Sequence, residues 1–233
     1  MTHTTGPRSF QLEADDGSTL TLHDVVDDLH PELARLMADM HLRAFPDHEF
    51  AAEAIVADAA RPSVRGHLVA HQWLLLRNGE PVGYSLADTN LRRRVAPIHF
   101  LAVEPAVRTV TVGGVRIGGW FLHDSLRQYR IDTGESGHGC VAETPDYKLP
   151  IFRQYGWRVL PVPYREPIHG WRWAVDGLET REVALIWLPP DAATGDEAEV
   201  GRAAAAAFLL DKYGVDQEID WVRSLVGGHP SVS

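Results

Sequence analysis

The sequence predicts an α/β protein of the mixed, α+β kind: a central, mostly antiparallel sheet with helices on both faces. Three observations predict it. Strand-length apolar runs in the first hundred residues are joined by the hairpin dipeptides Asp16-Gly17 and Asn78-Gly79. Within that part, Leu33, Leu36, Met37 and Met40 recur at a helical period. From Ile98 to Leu188 the pattern changes to strand, helix, strand, helix, strand, which places helices against a sheet that is no longer a simple meander.

The elements follow in order. SFQLEADDGSTLTLHDV alternates on both sides of Asp16-Gly17 and reads as a hairpin. Pro31 suits the first position of a helix whose buried face carries Leu33, Leu36, Met37 and Met40. Residues 45–50 break that helix, and a second runs from Phe50 to Ala60, ahead of Pro62. His48 and Glu49, at the break, either line an acceptor site or serve as cap and surface charge. His67 to Leu76, Pro81 to Ala87 and Ile98 to Val103 are three sequential antiparallel strands, with a turn at Leu91 to Arg94. Gly139 to Glu143 is a strand, and Asp146 to Tyr155 is a short helix interrupted by Pro150 and ended by Gly156 in a left-handed conformation. Trp157 to Val162 and Val183 to Leu188 are strands on either side of the turn-rich stretch Pro163 to Gly177. Beyond Leu188, Glu197 to Tyr213 is a strong helix former and Ile219 to Leu225 a shorter one, before a frayed GGHPSVS end. The expected division is a domain over 1–190 and a helical extension over 191–233.

Composition narrows the function. Lys and Arg number 22 against 32 Asp and Glu, a formal net charge of −10, which argues against nucleic acid as a partner. The run Arg92-Arg93-Arg94 is too short to reverse that, and reads as a solvated hairpin tip. No apolar run approaches a bilayer-spanning length, so no membrane partner is expected, and the N-terminus lacks a signal segment. With Cys140 as the single cysteine there is no internal disulfide and no cysteine metal motif; in a buried strand it reads as core. A cytoplasmic protein, monomer or homodimer, is the expectation.

The chain is organised around Ile98 to Leu126, where an apolar strand passes Pro105 and Arg108, crosses Gly113-Gly114 and Gly118-Gly119, and enters a helical pattern. A strand feeding glycines and a helix start is a common way to hold a phosphate on backbone N–H groups. Two readings of the glycines stand. In one the helix starts at Gly113, leaving Gly118-Gly119 inside it at about 0.8–1 kcal/mol each relative to alanine. In the other, which we prefer, Thr109 to Val112 and Val115 to Ile117 form a small hairpin, the helix begins near Gly118, and Phe121, Leu122 and Leu126 form its buried stripe.

Two local patterns carry a family resemblance. Val103-Glu104-Pro105-Ala106-Val107-Arg108 is similar to V-x-P-x-x-R at the end of a fourth strand, and Pro150-Ile151-Phe152-Arg153-Gln154-Tyr155-Gly156-Trp157 is similar to a P-x-Y-x-x-x-G-F segment. On these, and on the element order from about residue 18 to 188, the chain resembles the GNAT superfamily of acyl-CoA-dependent N-acyltransferases, as a divergent member. The resemblance implies a sheet splayed between strands four and five, with acyl-CoA in the opening. It implies pantetheine pairing along Leu101, Ala102 and Val103, and pyrophosphate near Arg108, Gly113, Gly114, Arg116, Ile117, Gly118 and Gly119. Here Arg108 is followed by TVTVG, so Thr111 stands where the family's first loop glycine would be and only Gly113 fits.

For the chemistry, His99-Phe100-Leu101-Ala102-Val103 resembles the H-A-L-A-V strand of arylalkylamine N-acetyltransferases, and His99 falls on the proposed base. Histidine titrates near pH 6.5, suited to proton transfer at neutral pH; a hydrogen-bonded core histidine is the alternative. Glu104 and Glu143 either relay a proton and hold a cationic acceptor, or are surface carboxylates. The family's proton-donating tyrosine falls on Phe152, leaving Tyr155 or Tyr147 as the substitute acid. Tyr164, Trp171 and Trp173 either wall the acceptor or belong to a covering loop. The expected activity is acyl transfer, most simply acetyl transfer, from acetyl-CoA or another acyl-CoA as cosubstrate to a primary amine of a small, cationic molecule. The competing expectation is an acyl-CoA-binding module with little or no transferase activity.

Overall fold

The computed structural model describes residues 9–26, 31–134, 137–168, 179–190 and 196–227. Contacts divide the chain into two compact units, one made of Met1–Thr89 and Ile98–Glu135, the other of Asn90–Pro97 and Ser136–Ser233. The division therefore does not fall at 190, because the C-terminal helices share a core with strands that precede them.

In the first unit, strands β1 (Ser9–Glu13) and β2 (Thr19–Asp24) are the hairpin expected around Asp16-Gly17, in the register Phe10 to Leu22 and Leu12 to Leu20. Helices α1 (Pro31–Ala44) and α2 (Phe50–Ala59) follow, broken at Pro46–His48 as expected. Strands β3 (Val64–Arg65), β4 (Leu68–Arg77), β5 (Glu80–Asn90) and β6 (Ala96–Val103) complete an antiparallel order β1-β2-β4-β5-β6, with β3 beside β4. Asn78 and Gly79 have φ of 50° and 89°, the two left-handed residues that a tight β4–β5 turn needs. After β6 come the small hairpin β7 (Thr111–Val112) and β8 (Val115–Arg116) and the long helix α3 (Ile117–Thr133). This is the second reading of the glycines, and Phe121, Leu122 and Leu126 are buried as that reading requires.

Alternation of side chains gives this sheet two cores. Leu20, Leu22, Trp73, Leu75 and Val103 meet Ile117 and Phe121 of α3 on one side. Leu74 and Tyr84 meet Ala34, Met37, Ala52 and Ile55 of α1 and α2 on the other, with Leu86 and Phe100 packed against them. Of the expected face of α1, Met37 and Met40 are buried and Leu33 packs against the same core, whereas Leu36 is 39% exposed; Ala34, Ala38 and His41 complete the buried face. The spacing i, i+3, i+4, i+7 is kept, but it runs through a buried histidine that an apolar pattern does not reveal.

In the second unit, β9 (Cys140–Thr144) pairs antiparallel with β13 (Ala184–Leu188), which pairs with β10 (Arg158–Val159). Helix α4 (Leu149–Arg153) follows a single 3-10 turn at Asp146–Lys148 and carries Pro150 in its first turn, where the missing N–H costs nothing. Gly156 has the expected left-handed φ, 83°. The strand expected over Trp157 to Val162 stops after Val159. Leu160 bonds to Leu185, and then Val162 N–H turns back to the Leu160 carbonyl and Tyr164 N–H to that of Val162, two successive tight turns around Pro161 and Pro163. Strands β11 (Arg165–Pro167) and β12 (Thr180–Glu182) form a separate ribbon.

Helix α5 (Glu197–Ala206) starts on Asp196, whose side chain accepts from Ala198 N–H at 2.9 Å, continues as a π-helical turn over Ala207–Lys212, and is followed by α6 (Asp220–Val226). Val200, Ala204, Phe208 and Leu225 share one core with Val141, Leu185 and Trp187. Arg92 and Arg93, with side chains 53% and 29% exposed, are a partly solvated tip that also holds Asp211 in the π turn, whose side chain is 3% exposed and also receives Asn90 Nδ2 at 2.8 Å. Cys140 is buried core, as expected. Among the described residues, no helix is long and apolar enough to cross a membrane, and no group of three or more His, Cys, Asp or Glu is placed to hold a metal ion.

Candidate active site

His99 stands at a bulge. Leu86 pairs with Phe100 and Ala87 with Ile98, so His99 is an extra residue of β6 with no opposite number on β5. An extra residue re-aims a side chain that strict alternation would fix. His99 Nε2 meets Asp88 Oδ2 at 2.8 Å, with the two side chains 7% and 16% exposed. A carboxylate on one ring nitrogen fixes that nitrogen as the protonated one and supports the imidazolium that forms when the ring takes up a second proton. The sequence singles out His99 but not Asp88, whose pairing depends on a bulge that leaves no local signature.

Asp88 lies two residues from Leu86 and four from Tyr84, on the α1/α2 side of the sheet. Phe100, beside His99, meets the rings of His41 at 4.6 Å, Phe45 at 5.1 Å and His48 at 5.5 Å, and His48 meets Phe50 at 5.8 Å. His41 holds this group together. Its Nε2 lies 2.9 Å from the His48 carbonyl, which can only accept, so Nε2 carries the proton and Nδ1 accepts from the Tyr84 hydroxyl at 2.8 Å. Burial pulls the His41 pKa below its usual 6.5, consistent with that neutral ring. The break between α1 and α2 is thereby tied to β6, and Phe50 remains 38% exposed at the rim. Glu49 stands at the start of α2 without a side-chain capping bond, and Glu104 pairs with Arg43 at 3.0 Å.

Leu101, Ala102 and Val103 occupy β6 opposite Ser85, Tyr84 and Gly83. Arg108 is exposed, with its Nε on the Val103 carbonyl at 3.0 Å. The two glycine pairs have separate fates. Gly113 and Gly114, at φ of 58° and 78°, are a hairpin tip, and each N–H donates to a different oxygen of Asp15 at 2.8 Å. A carboxylate of the chain itself takes those donors, so the expectation that this pair cradles a phosphate gives way. The hydroxyl of Thr111 and these two N–H groups hold the Asp15 pKa below its usual value. Arg116 is exposed at the end of β8, and Ile117 N–H is used on the Val110 carbonyl.

Gly118 and Gly119 lie in the first turn of α3, which has no side-chain cap and no acidic residue. A Cβ at Gly118 would meet nothing within 4 Å. Neither packing nor a left-handed backbone calls for this glycine.

The remaining site residues lie in the second unit. Glu143, on β9, receives the Tyr213 hydroxyl on Oε2 at 2.5 Å and the Tyr164 hydroxyl on Oε1. Burial and the neighbouring Glu166, partly offset by the two hydroxyls and Arg181, push its pKa up to about 8. It is therefore an enclosed carboxyl rather than a surface one. Tyr164 is 3% exposed, a core residue rather than an acceptor wall; Trp171 and Trp173 lie outside the described residues. Tyr155 is half-buried just past α4, and Tyr147 is 77% exposed. Phe152 meets the Trp157 ring edge-on at 5.5 Å.

No protein-family model and no curated protein sequence matches the chain. Solved structures do. An aminoglycoside 6'-N-acetyltransferase complexed with coenzyme A superposes with a TM-score of 0.51 at 11% identity, covering 75% of this chain and 99% of that one. Aminoglycoside 6'-acetyltransferase type Ii gives 0.50 at 13% identity, over 74% and 98%. A GNAT-family protein from Desulfovibrio desulfuricans gives 0.50 at 14%, over 73% and 99%. The chain has the GNAT fold. Its mostly antiparallel sheet with flanking helices is the expected fold class, and on this GNAT scaffold His99, the β6 backbone and the start of α3 fall in one unit, while Glu143 and Tyr155 fall in the other.

Proposed function

We propose that the protein is an acyl-CoA-dependent N-acyltransferase, acetyl-CoA being the simplest donor, that transfers its acyl group directly to the primary amine of a small, cationic molecule in the cytoplasm. The His99–Asp88 pair on the bulged strand of a GNAT fold carries this reading. An ammonium group must lose a proton before it can attack a thioester. His99 accepts that proton, directly or through one water, and Asp88 holds the ring and the charge it gains. The amine nitrogen then bonds to the carbonyl carbon, the C–S bond breaks, and the thiolate leaves to be protonated from solvent. The first turn of α3 and Arg116 hold the pyrophosphate. Phe45, His48, Phe50 and Phe100 offer ring faces and edges to the carbon skeleton of a cationic acceptor.

Calorimetry with acetyl-CoA tests the shared premise, and thiol release over a panel of aminoglycosides, polyamines and arylalkylamines tests transfer. His99→Ala is expected to keep acetyl-CoA binding and lose about 10²-fold or more in turnover. No binding at millimolar acetyl-CoA, or a variant as fast as the parent, rejects the reading. One observation favours a second reading, an acyl-CoA-binding module without transfer: Phe152, packed on Trp157, has no proton to give a leaving thiolate. Binding without thiol release from any amine would select it.

A further inference from the structure

The break between α1 and α2 is held by a buried polar side chain. Neither the 3-10 turn at Pro46–His48 nor α2 begins on a side-chain cap. His41, in the last turn of α1 and wholly buried, bonds in two directions instead. Its Nε2–H reaches seven residues forward to the His48 carbonyl, and its Nδ1 accepts from the hydroxyl of Tyr84 on β5, which is wholly buried too. An apolar side chain at position 41 could fill the space, but it would take the acceptor from a buried hydroxyl, and that is costly. Hydrogen bonds are directional where apolar packing is not. Two of them at opposite ends of one rigid ring fix its plane as well as its place.

That plane organises the rings around it. Phe45 stacks on His41 at 5.5 Å with 28° between the planes, and Phe100 meets the same ring edge-on at 4.6 Å and 90°. Phe45 and His48 in turn meet Phe100 at 5.1 and 5.5 Å. Phe45, His48 and Phe100 are half-buried and Phe50 is exposed, so each keeps surface that solvent, and hence a ligand, reaches; His41 lies beneath them. Phe100 follows His99 directly in β6, and Tyr84 stands four residues before Asp88 in β5. One buried histidine therefore ties these rings to the two strands that carry the His99–Asp88 pair.

We propose that His41 is a positioning residue for the amine acceptor: it holds the Phe45 and His48 rings against Phe100, and through them the place that the acceptor's carbon skeleton takes beside His99. This rests on the acyl transfer proposed above. His41 is buried and touches neither amine nor acyl-CoA, so its effect falls on how tightly the amine is held and not on proton transfer to His99. Contacts made equally in the ground state and the transition state change KM and leave kcat alone. Burial keeps the ring neutral and so preserves the acceptor that Tyr84 needs.

Steady-state kinetics of the full chain test the proposal, with acetyl-CoA saturating and the amine varied. The amine is phenethylamine, spermidine or tobramycin, whichever the parent turns over fastest, and acetyl-CoA binding is followed by calorimetry. His41→Leu removes both bonds, His41→Gln keeps one donor and one acceptor, and Tyr84→Phe removes the hydroxyl alone. The amine KM is expected to rise about tenfold in His41→Leu and about threefold in Tyr84→Phe. Both kcat and the acetyl-CoA Kd are expected to stay within about twofold, and His41→Gln to recover most of the loss in KM. A histidine that only stabilised the fold would lower Tm without this split. If His41→Leu does not fold, Tyr84→Phe, which keeps the ring, decides. A parental amine KM in the variants, a fall in kcat or acetyl-CoA affinity as large as the rise in KM, or a His41→Gln no better than His41→Leu would overturn the proposal. A parent that releases no thiol with any of the three amines rejects acyl transfer and this proposal with it, whereas an active parent with unchanged variants overturns this proposal alone.

Discussion

Raising the pH from 6.5 to 10 should unlock the join between α3 and the sheet. Asp132 stands in the last turn of α3, where the helix dipole disfavours a carboxylate, and His71 offsets that. Burial alone would lower the His71 pKa, but the hydrogen bonds and charges of Asp132 and Asp24 outweigh it and push the value up to about 10. The fold therefore keeps a proton that the unfolded chain loses near 6.5. Its stabilising share is complete below pH 6.5 and is lost as pH rises through about 10. At about 1.4 kcal/mol per pH unit the gap corresponds to roughly 5 kcal/mol, the same order as the roughly 3–5 kcal/mol cost of breaking a buried ion pair. Glu143 works in the same direction: its raised pKa gives stability that is complete below 4.5 and gone above about 8. Between pH 8 and 10 the slope belongs chiefly to His71. Urea midpoints at successive pH values, followed by tryptophan fluorescence, should fall steadily through that window, with Trp73 reporting locally because its ring stacks on His71 at 5.1 Å. His71→Gln should be less stable at pH 7 and flat from 8 to 10. A parent midpoint that does not move between pH 8 and 10, or a variant with the parent's slope, refutes the reasoning.

Three further outcomes are expected. Gly118→Ala should raise stability by up to about 1 kcal/mol, because the helix gains a better former in open space, while weakening coenzyme A binding; a calorimetric Kd equal to the parent's would remove Gly118 from the site. Asp15→Ala should speed amide hydrogen exchange at Gly113 and Gly114 with little change in Tm, since the carboxylate lies at the surface; unchanged exchange would mean that the two bonds do not persist in solution. Glu143→Gln should flatten the stability profile between pH 4.5 and 8, its amide oxygen accepting one tyrosine hydroxyl and its amide N–H donating to the oxygen of the other, and a retained slope there would place the titrating group elsewhere.

What the sequence revealed was whatever depends on neighbours in the chain. Asp16-Gly17 and Asn78-Gly79 announced their hairpins, Pro31 and Pro62 bounded α1 and α2, and the spacing of Phe121, Leu122 and Leu126 chose the register of α3. His99 stood out in the sequence because His99-Phe100-Leu101-Ala102-Val103 resembles an acetyltransferase strand. What stayed hidden pairs distant residues. Asp88 reaches His99 through a bulge, Asp15 reaches Gly113 across 98 positions, and Tyr213 reaches Glu143 across 70. Polar residues at such positions look like turn or surface residues until the fold brings their partners to them. His41 and His71 were missed for a related reason: their strands and helices were read for apolar rhythm, and both histidines occupy core positions that their hydrogen-bond partners make tolerable.

The hairpin at Gly113-Gly114 shows how one local departure from a family pattern is made consistent by another. Inserting β7 and β8 ahead of α3 sets two N–H groups side by side in left-handed turn residues, a natural anion nest. Asp15, fixed by its own N–H to the Thr111 carbonyl, fills that nest. The hairpin is therefore satisfied within the chain, and its donors do not compete for a ligand. On the function proposed above, the pyrophosphate is left to the first turn of α3, where no side chain caps the helix and Gly118 opens onto free space. The phosphate cradle is then shorter than two glycine pairs suggest, and its affinity rests on the helix N-terminus and nearby arginines, with the hairpin holding that helix start in place through Ile117 N–H on the Val110 carbonyl.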